Sequence, residues 1–136
     1  MKKIEIIALI DDDETYIYIS KRMLKQIDNV NKIEVFGNGL DGLNYLKLNI
    51  DNPLLLPEII FLDLSMPIMD GWQFLEEFIN LNATNFKKIT IYICSSSISP
   101  YDIDRAKSLN AVTGYIIKPL SKEDFTKLIS DYQQTF

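Results

Sequence analysis

The 136-residue chain contains no histidine. That absence removes imidazole general acid–base catalysis, histidine metal ligation and phosphohistidine carriage together, so any phosphoryl group the chain handles comes from a donor elsewhere. Cysteine is nearly absent too: Cys94 stands alone. No internal disulfide can form, and its place in the run Ile91-Tyr92-Ile93-Cys94 marks it as a buried strand residue. No apolar run approaches the roughly 20 residues that cross a bilayer; stretches such as Ile6 to Ile10 are far shorter. Two lysines follow Met1, but Glu5 and three aspartates interrupt the stretch that would have to serve as the apolar part of a secretion signal. The expectation is a cytosolic protein without a membrane anchor. Basic residues are outnumbered, 14 against 19 acidic ones, for a net charge of −5. Nucleic acid and anionic lipid both require clustered Lys and Arg, so direct contact with either is not expected. No repeat, low-complexity tract or linker interrupts the chain.

What is present is the balance of an ordinary globular domain, with 47% apolar and 24% charged residues. The length suits one domain over residues 1–136, with no room for an output domain. Five short, β-branched apolar runs predict strands: Ile4–Ile10, Ile33–Phe36, Ile59–Leu62, Thr90–Cys94 and Tyr115–Ile117. Helical patterns lie between them, over Thr15–Ile27, Leu40–Leu48, Trp72–Leu81 and Ser99–Leu109. A last one is marked by Phe125, Leu128, Ile129 and Tyr132, with Ser121 and Asp124 forming a capping-box-like start. Ser99 before Pro100 and Asp102 reads as an N-cap. Trp72, Phe74, Leu75, Phe78 and Ile79 read as helix core. Residues 51–57, with two prolines, read as a connecting loop. Strictly alternating strands and helices predict an α/β, doubly wound (βα)5 sandwich around a parallel sheet. Ligands of such sheets sit outside the carboxyl ends of the strands.

Four of the predicted strands run into Asp11-Asp12-Asp13, Asp63, Ser95 and Lys118, so the fold gathers these residues at one edge. Clustered carboxylates repel one another and favour protonation unless a cation neutralises them. Mg2+ is the natural ion, being hard, oxygen-seeking and able to keep positions open for water and phosphate. Lys118 adds a positive charge opposite the metal. Asp63 then has what a carboxylate nucleophile needs for phosphoryl transfer, and Ser95 can donate a hydroxyl hydrogen bond to a phosphoryl oxygen.

The segments Ile10-Asp11-Asp12-Asp13-Glu14, Phe61-Leu62-Asp63-Leu64-Ser65-Met66-Pro67-Ile68-Met69-Asp70-Gly71, Cys94-Ser95-Ser96 and Ile117-Lys118-Pro119 closely resemble, in order and spacing, the signatures of two-component response regulator receiver domains. The single-domain, chemotaxis-regulator-like kind is the nearest match. The resemblance covers nearly the whole chain and implies a flavodoxin-like sheet of order 2-1-3-4-5. It implies Asp63 as phosphoacceptor, Asp11 and Asp12 as the acid pair holding Mg2+, the Ser65 backbone carbonyl as a further ligand, and Lys118 as the phosphate-contacting lysine. Ser95 and Tyr115 would be the switch pair, and Pro119 would follow a cis bond. Asp13 reads instead as a helix N-terminal charge, and Gly71 as the end of a turn. Ser65 and Ser97 fall at positions that tune dephosphorylation in the family.

The implied donor is a histidine kinase or a histidine phosphotransfer protein. It would be met by the loop after Lys118 and the exposed side of the first helix, where Thr15, Tyr16, Ile19 and Met23 recur at helical spacing. The implied output is a surface of the fourth helix, fifth strand and fifth helix, with Tyr101 and Arg105 as candidate contacts, acting on a downstream protein or on a second copy of the chain. Such a protein is not an enzyme on other substrates; it promotes only its own phosphorylation and dephosphorylation. Two other readings compete. Asp11-Asp12-Asp13-Glu14-Thr15 also fits the Asp-x-Asp-x-Thr nucleophile motif of haloacid-dehalogenase-like phosphatases, with Asp11 as nucleophile. A non-phosphorylated pseudo-receiver would lack the acceptor, the acid pair or the lysine, and none is lacking here.

Overall fold

The structure, a computed structural model, describes residues 3–82 and 88–135. Its strands are β1 (Ile4–Ile10), β2 (Val30–Phe36), β3 (Ile59–Leu62), β4 (Thr90–Ser95) and β5 (Val112–Ile117). They alternate with helices α1 (Glu14–Lys25), α2 (Gly39–Leu48), α3 (Gly71–Asn82), α4 (Pro100–Lys107) and α5 (Lys122–Thr135). Every pairing is parallel and the order is β2-β1-β3-β4-β5, the doubly wound, flavodoxin-like (βα)5 architecture expected.

Side-chain alternation along the central strands explains the two-sided burial. Ala8, Ile10, Ile60, Leu62, Ile91 and Ile93 face one way, against Leu43 and Leu46 of α2, Phe74, Leu75 and Phe78 of α3, and Ala106 of α4. Their neighbours Ile7, Leu9, Ile59, Phe61, Tyr92 and Cys94 face the other way, against Ile17 and Leu24 of α1 and Phe125, Ile129 and Tyr132 of α5. Phe61 stacks on Tyr92 at 5.7 Å and meets the edge of Phe125 at 5.2 Å. Each fully buried ring of this kind contributes roughly 1.5–3 kcal/mol, so the sheet centre is held far more firmly than its rims.

The differences from the predicted elements fall at those rims. β2 begins at Val30 rather than Ile33, because an edge strand tolerates the exposed Asn31 and Lys32. β5 begins at Val112 rather than Tyr115, since Thr113 and Gly114 interrupt its apolar run. α1 stops at Lys25 and α4 at Lys107, each two residues short of the periodic pattern. Within residues 51–57 a 3-10 turn, Pro53–Leu55, occupies the expected loop.

The caps are mostly as the sequence suggests. Asp13 Oδ1 accepts from Tyr16 N (3.1 Å) at the start of α1, and Ser121 and Asp124 bond reciprocally at the start of α5. Asp70 and Gln73 form a second reciprocal box at α3, unforeseen because Asp70 sits inside a loop motif. Ser99 occupies the N-cap position of α4, but its side chain makes no capping bond. Ser97 instead ties this end of α4 down, its Oγ accepting from Ser99 N and donating to Asp102.

One residue in the loop between β3 and α3 is strained. Ile68 has φ 69° and is 74% exposed, and the left-handed region costs a β-branched side chain roughly 1–2 kcal/mol. Ile68→Asn, which suits that region and forfeits little burial, is expected to raise unfolding stability by about 1 kcal/mol in urea titration. An unchanged or lower midpoint would contradict strain at this position.

Candidate functional site

Backbone pairing continues one residue beyond the strands and sets the site residues side by side. Asp63 N donates to Ile10 O (2.9 Å), Asp11 N to Phe36 O (3.0 Å) and Lys118 N to Ser95 O (2.9 Å). The consequence is that Asp11, Asp12 and Asp63 bring carboxylate oxygens within 4.8 Å of one another. Asp11 and Asp63 are buried, while Asp12 faces solvent. Asp13 does not join them, since its carboxylate is used to cap α1. The N-terminal role expected for it is therefore the one observed.

Lys118 crosses above the end of β4 to reach this cluster. Its Nζ lies 2.6 Å from Asp11 Oδ2 and 3.2 Å from Asp63 Oδ1, and the Lys118–Pro119 peptide is cis. Burial alone would depress the ammonium pKa. The hydrogen bond and charge of Asp11, followed by those of Asp63, outweigh it, and the pKa is raised. Asp63 is pushed up to about 6, first by desolvation and then by repulsion from Asp11, with Lys118 only partly offsetting both. One ammonium is too little positive charge for three carboxylates. An all-oxygen, acidic donor set that still lacks charge compensation fits a hard divalent cation such as Mg2+.

Beside the carboxylates opens a cavity of about 440 Å3, bordered by Asp63, Ser65, Trp72, Ser95 and Asp102 among others. Ser95 is buried, and its Oγ accepts from Ser97 N at 3.0 Å. Tyr115 sits half-buried with its hydroxyl donating to Ser97 O at 2.8 Å. Ser97 thus touches Ser95, Tyr115 and the first turn of α4 at once. Its Oγ–Asp102 bond (2.7 Å) puts an acid on the cavity wall that the sequence showed only as a first-turn charge.

The response regulator receiver domain model matches residues 7–130. This chain belongs to that family. It is 30% identical over 129 residues to a probable methanogenesis regulatory protein, FilR2, of Methanothrix harundinacea, covering 95% of this chain and 81% of that one. A two-component response regulator from Cytophaga hutchinsonii superposes with a TM-score of 0.80 at 27% identity, over 98% of this chain and 99% of that one. A Mn(2+)-bound form of response regulator Rcp1 shares the fold, with a TM-score of 0.73 at 23% identity over 95% and 91% of the two chains.

In this receiver the loop after β3 is held close to α3. A Cβ on Gly71 would collide with the Asp63 carbonyl oxygen and the Leu64 Cα, so glycine is required by close approach. Its φ is not positive, and α3 begins at Gly71, so the residue ends the turn and lets the helix start as expected, through close approach rather than left-handed backbone. Phe74, Leu75 and Phe78 are core as expected. Ile79 is 39% exposed, and Trp72 borders the cavity with the Arg105 guanidinium 4.3 Å from its ring centroid. On α1, Ile19 is exposed and Met23 packs against the core. Tyr16 is turned under Lys118 rather than outward. Helical spacing could not separate these outcomes, because a residue at the margin of the buried face falls on either side. The dehalogenase-like alternative loses the second aspartate of its motif to the α1 cap.

Asp63 generates a pH-dependent stability. Its carboxyl holds a proton in the folded state between pH 3.8 and about 6, where the unfolded chain has released it. Stability therefore falls as pH rises through that window. In Asp63→Asn the penalty is gone while Lys118 keeps Asp11. The variant is expected to melt several degrees above wild type in chelator at neutral pH, with the gain shrinking as pH falls from 6 toward 3.8. A variant that melts lower than wild type at neutral pH would show that the Lys118 pair dominates instead.

Proposed function

We propose that this receiver accepts a phosphoryl group on Asp63 from a histidine kinase or histidine phosphotransfer protein, and that acceptance switches a protein-interaction surface. The observation that carries this reading is the single ammonium of Lys118 bonded to both Asp11 and Asp63 within a three-carboxylate cluster. The cluster gives a metal a place beside the nucleophile, and the lysine gives the transferred oxygens a fixed charge.

In this reading Asp11, Asp12, Asp63 and the Ser65 backbone carbonyl hold Mg2+. When bound, the ion supplies the positive charge that lets a carboxylate approach an anionic phosphorus. Asp63 is ionised at neutral pH, since its pKa without metal is about 6 and a neighbouring cation favours the charged form further. A carboxylate oxygen attacks phosphorus, a P–O bond forms, and the P–N bond to the donor imidazole breaks with its electron pair left on that nitrogen. Lys118 moves an N–H from a carboxylate to a phosphoryl oxygen. Ser95, whose Oγ accepts from Ser97 N and donates to no described residue, has its hydroxyl proton available to donate to another.

Withdrawing Ser95 toward the phosphoryl group would disturb Ser97, and with it the bonds to Tyr115 and to Asp102 of α4. Two arrangements a few kcal/mol apart suffice, since charge-assisted hydrogen bonds are of that size. The surface so changed is α4, β5 and α5, where Tyr101 is 72% and Ile117 41% exposed. It would act on a separate protein or a second copy, in the cytosol, with no direct nucleic-acid or membrane contact. No described helix is long and apolar enough to cross a membrane. The chemistry ends with the receiver's own phosphorylation and dephosphorylation.

Incubation with Mg2+ and acetyl phosphate, followed by intact mass, is expected to show one hydroxylamine-labile phosphoryl increment, lost in Asp63→Asn and on chelation with the fold intact. An increment persisting in Asp63→Asn would overturn the assignment. With beryllofluoride and Mg2+, NMR shifts should extend to Tyr115 and α4; shifts confined to Asp63 would leave the acceptor and remove the switch.

A further inference from the structure

Lys118 has a third contact besides its two carboxylates: its Nζ lies 4.3 Å from the centroid of the Tyr16 ring. Tyr16 comes from the first turn of α1, and its hydroxyl is directed inward, near Ser20 and Cys94. That hydroxyl is buried with no partner among the described residues at hydrogen-bonding geometry. The residue therefore presents its ring, not its polar atom, to the ammonium. A cation over an aromatic face is attracted by the ring quadrupole, most strongly where water is excluded, and the Lys118 side chain is only 15% exposed.

The ring differs from the two carboxylates in what happens to it during the reaction. Asp11 and Asp63 attract the ammonium only while they are themselves uncompensated. A divalent cation weakens their hold, and phosphorylation consumes a charge on Asp63. The Tyr16 ring binds no metal and accepts no phosphoryl group, so its hold on Lys118 persists throughout. We infer that Tyr16 is a positioning residue for phosphoryl transfer, keeping the Lys118 ammonium at the site while its carboxylate partners are engaged elsewhere. This inference rests on the acceptor role proposed for Asp63. It assigns Tyr16, which its spacing grouped with a donor-docking face, to the transfer step itself.

The test uses the full chain with Tyr16→Phe, Tyr16→Leu and Tyr16→Met, each first checked for a cooperative thermal transition. Without metal, NMR of the Lys118 Cε protons should show an upfield ring-current shift in wild type and Tyr16→Phe that is lost in the Leu and Met variants. With Mg2+ and acetyl phosphate, Tyr16→Phe should phosphorylate within about twofold of wild type, and the other two roughly tenfold more slowly, the scale of one desolvated cation–π contact. Wild-type rates in Leu and Met, or a loss in Phe equal to theirs, would overturn the inference. If wild type shows the ring-current shift but never acquires a phosphoryl group, the acceptor reading of Asp63 has failed, and the positioning role falls with it while the contact stands.

Discussion

The ammonium of Lys118, 2.6 Å from Asp11 and 3.2 Å from Asp63, is the interaction on which the functional edge of this molecule depends. Parallel pairing of β1 with β3 leaves no choice but to set Asp11 and Asp63 adjacent, both buried. Two buried carboxylates with Asp12 beside them are an unfavourable arrangement in low dielectric unless positive charge is supplied. The lysine arrives from the far side of β4, its backbone anchored on Ser95 O, and reaches the pair through the length of its side chain. It offsets part of the repulsion, yet burial first and the Asp11 charge second still leave the Asp63 pKa raised. A site in that condition has an affinity for a second cation built into it.

The surrounding structure serves that cluster by removing other choices. Asp13 is committed to the α1 cap, and its backbone N–H holds Asp11 Oδ1. Gly71 allows α3 to begin against the Asp63 carbonyl, and the Asp70–Gln73 box locks that start. On the opposite side Ser97 joins Ser95, Tyr115 and α4. A displacement at Ser95 of the size of one hydrogen bond therefore has a direct mechanical route to α4 and β5, and it needs no flexible segment.

The fold was readable because the central strands are near-continuous apolar runs and each ends in a polar residue. β1 and β3 were located to the residue, and Asp11, Asp12, Asp63 and Lys118 do converge. The edges were not: β2 and β5 contain Asn31, Lys32, Thr113 and Gly114, which an edge tolerates and a pattern search reads as loop. Ser95, Tyr115 and Ser97 could each be named, but not that Ser97 joins the other two, since the bond from Tyr115 spans 18 residues. Tyr16 and Ile79 were misplaced for a shared reason, and Trp72, which packs on the core as expected, also meets a neighbour that no pattern shows. Periodicity gives the direction of a helix face, while the neighbour met at its margin is decided by which other element arrives there. Lys118 and Arg105 supply those neighbours for Tyr16 and Trp72.

If Lys118 stands in for a cation, removing it should leave a vacancy that a metal fills. The direct measurement is thermal unfolding of wild type and Lys118→Met, each in chelator and in saturating Mg2+. Without metal the variant should melt lower, because three carboxylates then share no counter-charge. Mg2+ should raise its melting temperature by clearly more than it raises that of wild type, as binding to the folded state alone requires when a competing charge is gone. An equal or smaller rise in Lys118→Met would contradict the view that lysine and metal answer the same electrostatic demand.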